Sequence, residues 1–118
     1  MNEDYTPSIT LYNKKNSAGD TIVQLEGDLD KAGLEQIKEE FEGIINNIPD
    51  GKNFIIDLTN LNFINSEGIG FLFQVHCTLS KRNVRVILIG PNKSVEDVLH
   101  VIGFHQVVDI FPDFNSIK

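Results

Sequence analysis

The stretch FINSEGIG, residues 63–70, sets a serine between an asparagine and a glutamate and follows it with two glycines. A helical pattern begins there, yet each glycine costs about 1 kcal/mol relative to alanine inside a helix. Two chemistries suit Ser66. As the last residue before the helix it can act as N-cap, accepting a hydrogen bond from a backbone N–H one turn in. As a hydroxyl beside unpaired N–H groups and the positive end of the helix dipole, it can instead carry a phosphate that the fold tolerates. Gly68 and Gly70 would then bare the first turn for another protein's active site. Alternatively, they let the helix pack tightly on a sheet.

A hydrolytic reading starts from the same residues. Ser66-Glu67-Gly68 is the second half of a nucleophile elbow, but Ile64 stands in place of the leading glycine. The base would be His76, His100 or His105. Spacing puts His76 on a buried stripe, His100 near the end of a short helix and His105 beside a turn, and the sequence places none of them next to Ser66. A small serine hydrolase is the alternative these residues support least. Cys77 adjoins His76, yet neighbours on a helix diverge by about 100° and do not form a pair. Gly68, Gly70 and Phe73 fail the dinucleotide fingerprint at its third glycine, there is no phosphate-binding P-loop, and three dispersed histidines lack metal-ligand spacing. The expectation is a protein without catalytic residues, metal or cofactor.

The elements that must position Ser66 read as an alternation. Residues 8–12 (SITLY) and 21–25 (TIVQL) flank the turn cluster NKKNSAGD and form a candidate antiparallel hairpin, with a turn expected at Glu26, Gly27 and Asp28. Asp30 can cap a helix carrying Leu34, Ile37, Phe41, Ile44, Ile45 and Ile48 on one side, ending near Pro49. NFIIDL, ending at Leu58, lacks alternation and reads as a central strand buried on both faces. A loop is expected over residues 59–65. The helix after it places Ile69, Leu72, Phe73, His76 and Leu79 along one stripe, which turns Phe71 away as a partner anchor or a residue tucked under a loop. VRVILI is another strand. Ser94 with Asp97 suggests a capping pair for a third helix bearing Val95, Val98, Leu99 and Ile102 inward, followed by a short strand over 107–111 and a terminal helical start at 113–118. The fold class is α/β, a mixed and mostly parallel sheet of four to five strands with packed helices.

At 118 residues the chain suits one domain, 1–118, with about the first six residues frayed. A composition of 41% hydrophobic and 23% charged residues belongs to globular chains that fold on their own. The net charge of −7 opposes direct binding to nucleic acid or an anionic membrane. One cysteine fits a reducing compartment, and neither a signal peptide nor a membrane span is legible, so the expected location is cytoplasmic.

IIDLTNLNFINSEGIG resembles the signature of the STAS domain, the fold of bacterial anti-sigma factor antagonists. Asp57, Leu58, Thr59, Phe63, Ser66, Gly68, Ile69 and Gly70 match in order and spacing. LEGDLD, residues 25–30, is similar to the turn after the family's second strand, and SVEDVLHVIGFHQVVDIF resembles its last helix, glycine and strand. The resemblance implies a STAS-like fold with Ser66 as phosphoacceptor. It further implies that the unphosphorylated domain binds an anti-sigma factor serine kinase and frees the sigma factor. ATP-dependent phosphorylation of Ser66 would switch binding off, and a metal-dependent serine phosphatase would restore it. Asn65 stands where many members have aspartate, and Glu67 where a small residue is common. The contact surface expected for such a partner comprises Asp28, Asp30, Asn62, Asn65, Glu67, Gly68, Ile69, Gly70, Phe71 and Ser94, because these follow the C-terminal ends of strands. The rival implication is a non-switching STAS adaptor or scaffold subunit, in a stressosome or beside a transporter, with Ser66 serving only as a cap.

Overall fold

The turn between the first two strands is organised by Asn16, whose Oδ1 accepts hydrogen bonds from the N–H groups of Ala18 and Asp20. A computed structural model describes residues 8–118, so the expected fraying over 1–6 lies outside the described residues. β1 (Ile9–Lys15) and β2 (Thr21–Leu29) form the antiparallel hairpin. Then follow α1 (Lys31–Asn46), β3 (Asn53–Ile64), α2 (Ser66–Ser80), β4 (Arg85–Ile89), α3 (Lys93–Val101), a 3₁₀ turn (Phe104–Gln106) and β5 (Asp109–Phe111). The expected terminal helix is a single 3₁₀ turn, Phe114–Ser116, capped by Asp113. Among the described residues the sheet has five strands in the order β1-β2-β3-β4-β5, parallel from β2 onward.

Strands that advance one way through right-handed crossovers put every connecting helix on the same face. The core records this. Leu25, Phe54, Ile56 and Leu88 pack with Phe41 of α1, Leu72 of α2 and Leu99 of α3 in one buried cluster. On the opposite face Ile22, Ile55, Ile87 and Ile89 form a second cluster, covered in part by Phe111 and Ile117. β3 and β4 are therefore buried on both sides, which is why NFIIDL and VRVILI read as unbroken apolar runs. Phe41 meets Phe54 and Phe71 edge to face, with ring centroids 5.7 and 5.0 Å apart.

Several expectations are corrected here. Residues 26–28 and 59–64 are strand rather than turn and loop: β2 runs on to Leu29 and β3 to Ile64, paired in parallel. The register slips between Gln24 and Glu26 and again between Gly27 and Asp28, so β3 carries an extra residue at each place. These bulges move the inward positions to Leu58, Leu61 and Ile64, and a spacing of three hides a strand from a search for alternation. Asp57 and Thr59 hold the first bulge, where the Asp57 Oδ1 accepts from the Thr59 N–H (2.9 Å) and hydroxyl (2.6 Å). Gly27, at φ 117°, supplies the left-handed turn of β2, and a side chain there would strike the backbone of Ser8.

The buried face of α2 is Gly68, Phe71, Leu72, Val75 and Leu79, so Phe71 points inward and Phe73 outward, the reverse of the expected stripe. In α3 the buried residues are Val95 and Leu99, while Val98 and Ile102 are exposed. Its cap is Asn92 and not Ser94: the Asn92 Oδ1 accepts from the Val95 N–H, and its Nδ2 donates to the Leu61 carbonyl at the second bulge. One asparagine thus ends the loop, starts the helix and moors it to β3.

Candidate functional site

The extension of β2 and β3 beyond the rest of the sheet carries the start of α2 with it. Gly68 stands where a Cβ would overlap the Leu29 carbonyl oxygen, the same oxygen that accepts from the Asn65 N–H at 3.4 Å. The helix tip and the end of β2 approach more closely than any side chain permits, and Gly68 is buried there. Gly70 has no atom near its missing Cβ and is exposed. Of the two glycines only the first answers a packing requirement.

Asn65 is the N-cap of α2. Its Oδ1 accepts from the N–H groups of Glu67 and Gly68, both at 3.1 Å, which corrects the assignment of the cap to Ser66. Asparagine and serine are both good caps, and the chain turns helical one residue later than Asn65 rather than Ser66. Ser66 is consequently the first helical residue, exposed, and its hydroxyl makes no hydrogen bond among the described residues. Glu67 follows it in the first turn, where a carboxylate suits the helix dipole.

Ser66, Ile69, Gly70 and Phe73 recur at the i, i+3, i+4, i+7 spacing of one helical side. They line a groove of about 340 Å³, and Ile102, Gly103, Phe104 and Val107 form its far wall. Among the described residues Ser66 is the one polar side chain on that groove. Phe73 and Ile102 are 46% and 51% exposed, a large apolar surface to leave in water. A second groove lies between Asn62 and Phe63 of β3 and Ser94 and Val98 of α3. A third, between α1 and α2, is lined by Lys31, Glu67 and Gly70.

The sequence-derived surface is thus divided. Ser66, Ile69 and Gly70 come together on one groove, Asn62 and Ser94 on the next, and Glu67 with Gly70 on the third. Gly68 and Phe71 are buried, Phe71 being 7% exposed against Phe41, although part of the Phe71 side chain lines the third groove. Asp30 is occupied as the α1 cap, accepting from the Gly33 N–H at 2.8 Å. Asp28 pairs in register with Phe63 and is half-buried. Phe73, Val98, Ile102 and Val107 were missed as surface, although the i, i+3, i+4, i+7 spacing from Ser66 to Phe73 was there to be read. His76 and His105 line a different cavity with Arg85 and Asp109, and His100 stacks on His105 at 4.1 Å, so no histidine lines the Ser66 groove. No metal-ligating cluster and no helix long and apolar enough to cross a membrane occurs among the described residues.

The family model of the STAS domain matches residues 12–117, nearly the whole described chain. The chain belongs to the STAS domain family. Solved STAS-fold structures agree. An anti-sigma factor antagonist from Mycobacterium paratuberculosis is 20% identical, with a TM-score of 0.77 over 94% of this chain and 92% of that one. The Bacillus cell fate determinant SpoIIAA in its phosphorylated form is 20% identical, with a TM-score of 0.64 over 86% of this chain and 90% of that one. The murine anion transporter Slc26a9 is 18% identical, with a TM-score of 0.70 over 93% of this chain and 21% of its own. At such identities the likeness is one of fold. No curated protein sequence matches the chain.

Proposed function

We propose that this STAS protein is an anti-sigma factor antagonist switched at Ser66. The unphosphorylated form binds an anti-sigma factor serine kinase in the cytoplasm, and the sigma factor is released. The kinase transfers the γ-phosphoryl group of ATP to the Ser66 oxygen: the O–P bond forms, ADP leaves, and the hydroxyl proton passes to a base of the kinase. A metal-dependent serine phosphatase reverses this with water, releasing inorganic phosphate. The STAS protein contributes the acceptor hydroxyl and the docking surface.

The reading rests on one observation: Ser66 is exposed, relieved of capping by Asn65, and is the polar residue of an otherwise apolar groove. A phosphate there adds a charge of about −2 beside helix N–H groups that tolerate it, so the fold survives. A partner side chain filling the groove would meet that dianion with no compensating cation, at a loss of several kcal/mol. Each 1.4 kcal/mol is about tenfold in affinity, so a modest fraction of this suffices for a switch. Two structural relatives lend support, since one is an anti-sigma factor antagonist and the other is SpoIIAA in its phosphorylated form.

Incubation with an anti-sigma factor serine kinase and Mg-ATP, followed by mass spectrometry, tests the proposal. One phosphate on Ser66, absent from Ser66→Ala, is the expected result; no phosphate, or phosphate elsewhere, contradicts it. The rival, a STAS module acting as a fixed adaptor, is favoured by the likeness to a segment of Slc26a9, and it predicts the unmodified protein.

A further inference from the structure

The far wall of the Ser66 groove is one short reversal of the chain. α3 ends in a left-handed glycine, Gly103 at φ 78°, whose N–H donates to the His100 carbonyl at 3.0 Å. The 3₁₀ turn after it is tied by the N–H groups of Val107 and Val108, which donate to the Phe104 carbonyl at 2.9 and 3.1 Å. Across this reversal the imidazoles of His100 and His105 lie face to face, with centroids 4.1 Å apart and planes within 6° of parallel. Ile102, Gly103 and Phe104, three of the four residues of the wall, lie in the chain between the two rings.

Histidine is the side chain that gains charge between about pH 8 and pH 5. Neutral rings stack through their faces, and a neutral ring also accepts a cation on its face. Two imidazolium ions so arranged hold like charges about 4 Å apart and repel. The surroundings balance only one of them. On α3, Glu96 stands one turn before His100, while Asp97 is bonded to Lys93 at 2.9 Å. β3, also packed against α3, presents Asn62, Phe63 and Ile64 there, none of them charged. Around His105 the cavity is lined by His76 of α2, Arg85 of β4 and Asp109 of β5, and the Asp109 carboxylate is taken by the Arg85 guanidinium. We infer that the His100–His105 stack is an acid-sensitive clasp on the groove wall: it holds the α3–Phe104 reversal while at most one ring is protonated and releases it when both are. The open reversal binds the second proton more readily than the closed one, so the clasp is present at neutral pH and lost as pH falls through the imidazole range. Both rings are exposed, so water screens the repulsion and confines the effect to the reversal rather than the whole fold. Acid thus loosens the apolar wall opposite Ser66 without touching the serine, which goes beyond the switch reading and does not depend on it.

Amide hydrogen exchange of the ¹⁵N-labelled, unphosphorylated protein at about pH 7.5 and about pH 5 tests the clasp. Corrected for intrinsic exchange, protection of the Gly103, Val107 and Val108 amides should fall about fivefold on acidification relative to amides of α1 and β3. His100→Gln and His105→Gln, both at exposed positions, remove the stack, and each should make that protection independent of pH over the interval, whatever its absolute level. His76→Gln should keep the acid dependence. Rings with a merely structural role would lower protection in the glutamine variants while leaving the starting protein insensitive to pH. That insensitivity, acid loss persisting in His100→Gln or His105→Gln, loss shared equally by α1 and β3, or its disappearance in His76→Gln would each overturn the proposal. Neither kinase nor phosphate enters, so phosphorylation at Ser66 stands or falls separately by mass spectrometry.

Discussion

Asn65 caps the helix that Ser66 begins. By accepting hydrogen bonds from the N–H groups of both Glu67 and Gly68, the asparagine performs the structural task of a capping serine. The hydroxyl next to it is free of that task, so the cap and the proposed switch fall on adjacent side chains that can be tested separately.

Asn65→Ala should destabilise the fold by about 1 kcal/mol, because two N–H groups lose their acceptor. Ser66→Ala should change stability by no more than about 0.5 kcal/mol. Urea denaturation of both variants checks this, and a larger loss for Ser66→Ala than for Asn65→Ala would return the cap to the serine.

The glycines should separate in the same assay. Gly68→Ala pushes a methyl group into the Leu29 carbonyl and should cost about 1–3 kcal/mol, since backbone must move. Gly70→Ala meets open space and should raise stability by about 0.5–1 kcal/mol. If Gly70 is kept bare for an approaching partner, the stabilised variant should also be the poorer substrate of the kinase.

Phe71 and Phe73 form a second contrasting pair. Phe71→Ala should cost about 3–5 kcal/mol by opening a cavity beside Phe41. Phe73→Ala should cost under about 1 kcal/mol yet weaken partner binding. The opposite ranking in thermal or urea unfolding would mean that α2 is rotated from its described face.

Asp20 gives the fold an acid dependence. Burial pushes its carboxyl up, but hydrogen bonds from the Asn53 N–H and the Asn16 side chain, with the Lys52 charge, outweigh this and hold it below its ordinary value of 3.8. The unfolded chain then binds the proton more readily, so this contribution is complete above about pH 4 and is lost as pH falls through the folded value. Denaturation between about pH 6 and pH 2 should show Asp20→Asn less stable at the upper end and flatter at the lower. Parallel profiles for the two proteins would remove Asp20 from the account.

The order of elements was legible because each parallel crossover leaves a helix-period stretch between two apolar runs, and Asp30 announced the first helix without ambiguity. The long ends of β2 and β3 were not. Bulges at Thr59 and Asn62 convert a period of two into steps of three, and only the hydrogen bonds of Asp57 and Asn92 reveal the reason. At the site, Ser66 was found from its neighbours in sequence. The exchange of Phe71 and Phe73 followed from α2 being apolar on two sides, so that residue spacing alone fits either face to the core. Caps slipped by one or two residues where serine and asparagine compete, at Asn65 with Ser66 and at Asn92 with Ser94.

The most direct test is a comparison of two affinities for the anti-sigma factor serine kinase, one for the protein bearing a hydroxyl at Ser66 and one for the same protein bearing phosphate there, both shown to be folded. The account predicts that the phosphorylated form binds at least about tenfold more weakly at equal stability. Equal affinities, or weakening accompanied by unfolding, would contradict it.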